Sequence, residues 1–478
     1  MKTTTLIILV GYLFLSGCAT QPENSAIKDY SPYFQVETGK PVGVMLTAYS
    51  TTLIANGTDI TELRIALTDS LGREIKSINR PIEIYVYGDA KLLHPVEGKE
   101  LVFNEKYDSV IIWQSSIENG LCSLFLQAGT TEDKIKVEAR CDTLWPASHE
   151  LHTLPRDIRL MQPGSDQIKP TDKEVDKMIG ADISFLPQLE ARGVKFYDNS
   201  IEKNGIQALK DHGFNYIRLR IFVNPENEKG YSPEEGFCGL DYTKQMAKRT
   251  NEAGMKLLLN FHYSDYWADP QRQYKPKAWE ELGFEELKVK MKDYTKMVIN
   301  ELIAQGTPPD MVQVGNEINH GMLWPDGHIS NLDNLAELIC AGLEGVQEAD
   351  SSILTMIHLA LGGQNQEATF WLDNMLARNV DFDVLGISYY SRWHGTLNDL
   401  NSNLNKLISK YGKPINVVEY SGYKSEVHEI EFSLPDGMGQ GTCIWEPLNT
   451  WGAIFDRDGN STGELALYDE FAKMYLNK

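Results

Sequence analysis

The sequence is poor in cysteine and has no motif that combines cysteine with histidine for metal binding. Six cysteines are spread over 478 residues, and neither a CxxC motif nor a His/Cys cluster is present, which argues against a zinc site. With Cys18 assigned to the leader described below, an odd number of thiols remains, so at least one is free. Cys122 and Cys141 share one small region, and a disulfide between them is compatible with the sequence but does not follow from it.

Positive charge is scarce as well. The chain has 45 Lys and Arg against 67 Asp and Glu, a net charge of −22 and a pI near 4.9. Nucleic-acid binding requires a basic surface, so no nucleic-acid partner is expected, and solubility accounts for the acidity. A neutral substrate agrees better with this charge, and the nine Trp and 22 Tyr suit stacking on sugar rings.

A long hydrophobic run is missing. The apolar stretch from Leu6 to Leu15 is too short for an ordinary membrane-spanning helix, and with Lys2 before it and small residues after it, it has the layout of a secretory signal. The segment "LSGC", ending at Cys18, resembles the bacterial lipobox, in which the cysteine is lipidated. We therefore expect residues 1–17 to be a lipoprotein signal peptide; an ordinary signal with an unmodified cysteine is the alternative. The mature chain is expected in the outer membrane or at the cell surface, attached to the membrane by this lipid, and its orientation stays open.

After a polar tether at residues 18–40, residues 41–145 have the pattern of a small all-β domain. Segments such as "IEIYVYG" and "SVIIWQSS" alternate apolar and polar residues, and Asn-Gly and Leu-Gly turns interrupt such segments. This pattern predicts a β-sandwich, and it resembles bacterial immunoglobulin-like modules. No catalytic constellation appears in it, so we expect a spacer or packing module, with carbohydrate binding as the alternative.

Residues 146–175 are interpreted as a linker, and a different pattern occupies residues 176–478. Apolar strand-like runs alternate there with amphipathic helical stretches at 241–254, 284–305 and 332–350. Eight such runs predict a (β/α)8 barrel, that is, a TIM barrel of the α/β class: "GADIS", "NYIRLRIF", "KLLLNF", "MVQVGNE", "ILTMIHL", "DVLGISYY", "INVVEY" and "GTCIW". A doubly wound open sheet is the alternative, but no GxGxxG or P-loop motif follows any of these strands.

Several of these strands end in polar or aromatic residues. The active site of a (β/α)8 barrel lies at the carboxyl ends of its strands. The residues found there are Arg218, Arg220, His262, Tyr263, Asn316, Glu317, Tyr389, Tyr390, Glu419, Trp445 and Glu446. Each residue alone is weak evidence for a site. A strand-end glutamate is commonly part of a surface ion pair, His262 is compatible with a structural role, and Trp445 is compatible with a place in the core. Their joint position at one end of one barrel is what indicates a site.

Glu317 and Glu419 form the pair that glycoside hydrolysis requires. One carboxyl is kept protonated to give its proton to the leaving oxygen, and the other is ionised to attack or to activate water. A retaining enzyme places the two groups about 5–5.5 Å apart, and an inverting enzyme roughly 6.5–9.5 Å apart. We expect Arg218 to hold one carboxylate ionised, Tyr389 to donate a second hydrogen bond to it, and Asn316 to bind a sugar hydroxyl.

At these residues the chain resembles glycoside hydrolase family 53, the endo-β-1,4-galactanases of the clan A retaining barrels. The resemblance covers about residue 178 to the end of the chain. It rests on long segments, above all "LLLNFHYSDYWADPQRQYKPKAW", "VQVGNEINHGMLWPDG" and "CIWEPLNTWG". It implies a TIM barrel that cleaves β-1,4-galactan, the side chain of type I arabinogalactan and pectin.

The resemblance also implies roles for individual residues. Glu317 in "GNE" corresponds to the acid/base and Glu419 in "VVEY" to the nucleophile. The clan's polar residues around the scissile sugar and the family motifs that line the galactan groove correspond to Asp182, Arg218, His262, Asp265, Trp267, Asn316, Tyr389, Trp393, His394 and Trp445. No cofactor is implied for the chemistry.

Two departures from the family pattern concern the seventh strand. The nucleophile is followed by "EYSGY" rather than by Glu-Thr-Ser-Tyr or a close variant. The segment from Tyr420 to Gly441 is short, so the helix and long loop common there must be curtailed, and the Asp-rich segment that holds calcium in some bacterial members has no counterpart. "FDRDGNS" at 455–461 is similar to a calcium loop but lacks the later glutamate of an EF-hand. A structural calcium ion is therefore left open, and no metal ligand is assigned.

The sequence thus predicts a lipid-anchored, endo-acting, retaining galactanase that acts as a monomer on a polysaccharide. One rival is a clan A hydrolase of another β-linked glycan, such as mannan or cellulose. The other, of a different class, is a surface lipoprotein that only binds glycans; the presence of both carboxylates counts against it.

Overall fold

The structure, a computed structural model, describes residues 28–93, 105–107, 110–448, 452 and 454–476. The predicted signal peptide and Cys18 lie outside these residues. Within the described ranges, none of the helices combines the length and the apolar composition needed to cross a membrane.

Two β-sheets form the amino-terminal domain around a buried apolar core. Its elements are α1 (Ser31–Phe34), β1 (Gln35–Val36), β2 (Gly43–Ala48), β3 (Thr52–Ile54), β4 (Ile60–Thr68), β5 (Glu74–Ile75), β6 (Arg80–Tyr87), β7 (Ala90–Leu93), β8 (Glu105–Tyr107), β9 (Val110–Ile117), β10 (Leu121–Ala128), β11 (Lys134–Arg140) and β12 (Ala147–Leu154). One sheet has the order β1-β5-β4-β10-β7, with β2 also paired to β4, and the other β3-β12-β11-β6-β9-β8. Alternate residues of β10 are buried, as the period-two pattern predicts. Cys122 and Cys141 are free thiols.

The domain boundaries differ from the predicted ones on both sides. β12 lies inside the predicted linker 146–175, yet it pairs with β11 and with β3, so the linker begins only after Leu154. The predicted tether also contains ordered structure, because Tyr30 and Phe34 are buried in the same core as barrel residues. β12 was missed because its residues do not alternate regularly between apolar and polar. Tyr30 and Phe34 were missed because their core partners lie far away in the sequence.

The remainder of the chain forms the predicted (β/α)8 barrel. Eight parallel strands close in the order β13-β16-β17-β18-β21-β22-β23-β24. The strands of this part are β13 (Met178–Asp182), β14 (Phe196–Asp198), β15 (Ile201–Lys203), β16 (Tyr216–Ile221), β17 (Lys256–Phe261), β18 (Met311–Val314), β19 (Gly321–Met322), β20 (Gly327–His328), β21 (Leu354–Leu359), β22 (Val384–Tyr389), β23 (Ile415–Tyr420) and β24 (Gly439–Trp445). Parallel strands are buried on both faces, which explains why apolar residues predominate in them.

Helices surround the barrel. They are α2 (Leu186–Ala191), α3 (Gly205–Asp211), α4 (Leu240–Glu252), α5 (Phe284–Ala304), α6 (Leu332–Ala349), α7 (Asn365–Leu376), α8 (Ser391–His394), α9 (Leu397–Tyr411), α10 (Lys424–Phe432) and α11 (Leu467–Tyr475). The three predicted helices agree with α4, α5 and α6 to within two residues at each end. α10 occupies the short segment after β23, so a short helix is kept there.

The two domains share a continuous packed interface. Met45, Ala66 and Leu154 of the sandwich are buried in the same cluster as residues of the barrel. Arg392 in α8 donates a hydrogen bond to the carbonyl of Pro146, at 3.1 Å. The sandwich therefore packs against loops at the carboxyl end of the barrel strands, where a barrel enzyme has its active site.

Candidate active site

Polar side chains from neighbouring strands converge at the carboxyl end of the barrel. Besides the predicted residues, the structure brings four others to this place, all fully buried: Asn260, Gln313, His358 and Ser388. The sequence analysis missed them. In the sequence, each is recognisable as a polar residue within an otherwise apolar strand. Burying such a residue costs free energy unless it is hydrogen-bonded.

The two predicted carboxylates face each other across this centre. One oxygen of Glu317, one oxygen of Glu419 and a ring nitrogen of His358 lie within 4.8 Å of one another. This bound on one oxygen of each carboxylate agrees with the separation of about 5–5.5 Å between the carboxyl groups of retaining glycosidases and favours it over the roughly 6.5–9.5 Å of inverting ones. The pair can therefore support attack by one carboxylate and proton transfer by the other.

Glu419, at the end of β23, is held by two donors. Arg218 Nη1 donates to its Oε2 at 2.8 Å, and the Tyr390 hydroxyl donates to its Oε1 at 3.0 Å. Arg218 is itself fixed by Asp182 at 3.2 Å and by Asn316 at 2.9 Å. Both donors stabilise a negative charge on Glu419, so this carboxylate is placed to act as the nucleophile.

Glu317 has different surroundings. Burial, and then the negative charge of Glu419, raise the pKa of Glu317 well above its usual value, against the Ser388 hydroxyl, which donates to its Oε1 at 2.7 Å. Its backbone is left-handed, with φ of 50°, which costs a non-glycine residue about 1–3 kcal/mol and persists only where neighbouring contacts hold it. A proton-holding carboxyl in a constrained loop is suited to acid/base catalysis.

The hydrogen bonds of His358 define which of its ring nitrogens carries the proton. The single hydroxyl proton of Ser388 is given to Glu317, so Ser388 Oγ accepts from His358 Nε2, at 2.8 Å. Nδ1 is then the acceptor for Gln313 Nε2, at 3.1 Å. Burial, followed by the charge of Arg218, lowers the pKa of His358 well below its usual value. A neutral His358 thus orients the hydroxyl that contacts Glu317.

The prediction that Tyr389 donates to the nucleophile is wrong, and Tyr390 makes this contact. The Tyr389 hydroxyl donates instead to the carbonyl of Gly395, at 3.2 Å, and its ring is buried in the core. Successive residues of an extended chain point to opposite sides. Ser388 and Tyr390 therefore share the side that faces the two carboxylates, and Tyr389 faces away.

Aromatic rings line one side of the centre. Phe185, Trp267 and Trp445, all half-buried, contact one another edge to face with centroids 6.0 to 6.3 Å apart. The Arg220 guanidinium lies 4.3 Å from the Phe185 ring and 4.4 Å from the Trp267 ring, and it donates to Glu446 at 2.6 Å. These rings form a surface of the kind that sugar rings stack on. Trp393, in α8, is 42% exposed.

Four other predicted substrate contacts are buried and have protein partners. Asp182 accepts from Arg218 and Arg220, and Asp265 accepts from the backbone of Asn224 and Lys277. The ring Nδ1 atoms of the two histidines accept from backbone N–H groups, of Ala268 for His262 and of Tyr390 for His394. The contacts that the structure gives these side chains position the loops and Tyr390; substrate contact stays a prediction for them.

Asn316 is similarly engaged. Its carbonyl oxygen accepts from Arg218 and from Asn260 at 2.9 and 3.0 Å, and its amide donates to the carbonyl of Ala268 at 2.9 Å. Its role toward a sugar hydroxyl stays a prediction.

The centre has a donor set that metals also use, but its charge does not suit a cation. Glu317, His358 and Glu419 are close enough to share an ion. However, Arg218 lies 2.8 Å from Glu419 and 3.5 Å from His358 Nδ1, so a cation there would face a fixed positive charge. In the "FDRDGNS" segment, Asp456 Oδ1 accepts from the backbone of Asp458 and Asn460, so this oxygen is engaged in the turn.

Comparison with known proteins adds independent findings. The family model of glycosyl hydrolase family 53 matches residues 178–432, and that of glycoside hydrolase family 2 C-terminal domain 5 matches residues 44–150. An uncharacterized protein in the bgaB 5′ region of Niallia circulans is 39% identical over 344 residues, covering 60% of this chain and 92% of that one. The endo-beta-1,4-galactanase of Bacillus subtilis is 36% identical over 267 residues, covering 56% of this chain and 59% of its own.

A solved structure extends the likeness to three dimensions. One of two fungal beta-1,4-galactanases matches with a TM-score of 0.56 and 29% identity, and the match covers 61% of this chain and 98% of that one. The matched share is that of a single barrel, so the likeness concerns the part of the chain that carries the two carboxylates.

Proposed function

Because the chain belongs to glycosyl hydrolase family 53, we propose that it is an endo-acting, retaining hydrolase of β-1,4-galactan and type I arabinogalactan. The observation that carries this proposal is the pair Glu317 and Glu419, whose oxygens lie within 4.8 Å in unlike surroundings. The galactanase of Bacillus subtilis, to which the chain is similar, supports galactan as the substrate.

The reaction proceeds by double displacement. Glu419 attacks the anomeric carbon, a carbon–oxygen bond to its carboxylate forms, and the glycosidic bond breaks as Glu317 donates its proton to the leaving oxygen. Water then attacks the same carbon, Glu317 accepts a proton from it, and the ester bond to Glu419 breaks. Configuration is retained, because each step inverts it once.

The electrostatics of the pair suit both steps. While Glu419 is charged, burial and that charge keep the pKa of Glu317 high, so Glu317 enters the first step protonated. Ester formation removes the charge of Glu419, which lowers the pKa of Glu317 and makes it a base for the second step. Trp267 and Trp445, beside the centre, are suited to stack on the galactan chain.

The first test is reducing-sugar release from purified β-1,4-galactan, with product sizes followed over time. We expect intermediate oligosaccharides from the wild type. Glu317→Gln and Glu419→Gln should lower the rate by roughly 10²–10⁴-fold or more, whereas the exposed Glu252→Gln in α4 should match the wild type.

The same assay on a panel of other glycans distinguishes the proposed galactanase from a hydrolase of another glycan and from a protein that only binds glycans. A faster reaction on mannan or cellulose than on galactan would show that galactan is not the preferred substrate. A folded chain that cleaves none of them yet is retarded in galactan affinity gels would replace catalysis with binding.

Three finer points also belong to the proposal. The sandwich is an immunoglobulin-like module; two facing sheets around one core support this. The chain is exported and lipidated on Cys18, and is therefore attached to the outer membrane or the cell surface; this is supported by the sequence alone. The chain acts as a monomer. A structural calcium ion, which the sequence leaves open, is not part of the proposal.

A further inference from the structure

The loop that carries Glu317 is held from outside the barrel as well as from within. Glu317 is followed by a short 3-10 helix, Ile318–His320, and then by β19. Inside the barrel domain, Gln273 donates to the carbonyls of Asn316 and Glu317, at 2.8 and 3.3 Å. Trp371 Nε1 also donates to the carbonyl of Ile318, at 3.1 Å. Further contacts of this loop lead through His320 to the sandwich.

His320 bridges two parts of the molecule. Its Nδ1 lies 2.7 Å from the carbonyl of Pro270, and because a carbonyl only accepts, Nδ1 is the donor. Its Nε2 lies 2.8 Å from the hydroxyl of Thr51, in the sandwich, and 3.5 Å from Glu367 in α7. The ring of His152, in β12, lies against it with centroids 4.0 Å apart and the ring planes tilted by 31°.

Glu367 is a buried carboxylate whose direct donors come mainly from the sandwich. It is 1% exposed and accepts from the Thr51 backbone at 2.5 Å, the Thr51 hydroxyl at 2.9 Å and the Thr52 hydroxyl at 2.8 Å. A buried charge requires such partners. Burial acts to raise the pKa of Glu367, but the hydrogen bonds from His320, Thr51 and Thr52 outweigh it and leave the pKa lowered.

We infer that the sandwich keeps the Glu317 loop in its working conformation through the contact of Thr51 with Glu367 and His320. Thr51, Glu367 and His320 are then positioning residues for the acid/base step. The left-handed backbone of Glu317 makes this loop dependent on outside support. This inference rests on the proposed function, and it assigns the sandwich a part in catalysis beyond that of a spacer.

The test compares two substrates of one enzyme. β-1,4-Galactan requires protonation of its leaving oxygen, whereas a 2,4-dinitrophenyl β-1,4-galactobioside does not, because dinitrophenolate leaves unaided. Thr51→Val and Glu367→Gln should lower kcat/KM on galactan roughly ten- to hundredfold and change kcat/KM on the aryl glycoside by less than about threefold. Thr51→Ser, which keeps the hydroxyl, should restore most of the loss.

The matched control is Tyr49→Phe. It removes a hydrogen bond of 3.1 Å from the sandwich to Asp399, at a part of the interface that does not contact the Glu317 loop, and should match the wild type on both substrates. Equal losses on both substrates in Thr51→Val, or no loss on galactan, would overturn the inference.

Hydrogen exchange gives a second measurement that needs no substrate. In Thr51→Val, the backbone amides of residues 315–331 should exchange at least about tenfold faster than in the wild type, with no change in α10. Unchanged exchange in this segment would overturn the inference. A wild type that leaves galactan intact would refute the proposed function instead, and the exchange comparison would still decide the role of the sandwich.

Discussion

At the scale of single residues, Glu317 and Glu419 have the same side chain but different catalytic roles, because their neighbours differ. Arg218 and Tyr390 donate to Glu419, at 2.8 and 3.0 Å, whereas Ser388 donates to Glu317, which is half-buried beside a negative charge. One environment favours the protonated form of its carboxyl group and the other favours the ionised form. This difference assigns the role of acid to Glu317 and that of nucleophile to Glu419.

The neighbouring tyrosines 389 and 390 provide a test of this arrangement. Tyr390→Phe removes a donor to the nucleophile, and we expect kcat to fall about tenfold or more, because hydrogen bonds to charged groups contribute roughly 1.5–3 kcal/mol. Tyr389→Phe removes only a bond to the Gly395 carbonyl and should leave kcat near the wild-type value, with a lower melting temperature. Rates on galactan and thermal unfolding measure both effects; a larger loss of kcat in Tyr389→Phe would contradict this assignment.

The raised pKa of Glu317 predicts how stability depends on pH. The folded chain keeps this proton to a higher pH than the unfolded chain does, so stability falls as pH rises from the ordinary carboxyl pKa through the folded-state pKa. Glu317→Gln cannot ionise and should therefore be more stable than the wild type at neutral pH, by at least about 1 kcal/mol. Below about pH 4 the difference should vanish.

Urea unfolding at several pH values measures this difference, with Glu252→Gln as the control. A stability difference between Glu317→Gln and the wild type that stays constant across pH would show that ionisation of Glu317 is not its cause.

At the scale of elements, irregular strand pairing decides which side chains enter the site. The register between β22 and β23 shifts between Gly386 and Ser388. β23 also has an extra residue against β24, since Val417 pairs with Thr442 and Tyr420 with Ile444, and this stretch of β23 contains Glu419. Such bulges re-aim side chains near active sites.

A second bulge lies at the amino end of β24, where Ile415 pairs with Gly439 and Asn416 with Gly441, and this bulge depends on Gly441. Its φ is 126°, and a Cβ there would lie 1.9 Å from the carbonyl oxygen of Met178 in the neighbouring strand β13. Gly441→Ala should lower the free energy of unfolding by at least about 2 kcal/mol. Gly422→Ala, at a site with open space around it, is the matched control. Urea unfolding compares the two, and equal effects would refute the role assigned to this bulge.

At the scale of the whole molecule, the sandwich and the barrel form one packed body, and we propose that lipidation of Cys18 attaches this body to a membrane. We expect Cys18→Ala to abolish incorporation of a labelled fatty acid and to move the chain from the membrane fraction to the soluble fraction of its host. Growth with the labelled fatty acid, followed by fractionation, measures both. Label that persists in Cys18→Ala would refute lipidation at this residue.

The sequence predicted a large part of this molecule because the relevant patterns are local. α4, α5 and α6 agree with their predicted ranges, since an amphipathic helix shows its buried face within a few turns. Glu317 and Glu419 were found because each directly ends or follows an apolar strand. β12 was not found because its residues lack a regular alternation of apolar and polar types. Tyr30 and Phe34 were not found because their core partners lie far away in the sequence.

By itself, the sequence determined the barrel, the β-rich domain before it and the two carboxylates, because periodicity and strand ends are properties of neighbouring residues. Only the tertiary structure decided that Tyr390 rather than Tyr389 contacts Glu419, that His358 and Ser388 orient Glu317, and that Thr51 reaches Glu367. These contacts depend on strand register and on domain packing, which bring together residues that no local pattern connects.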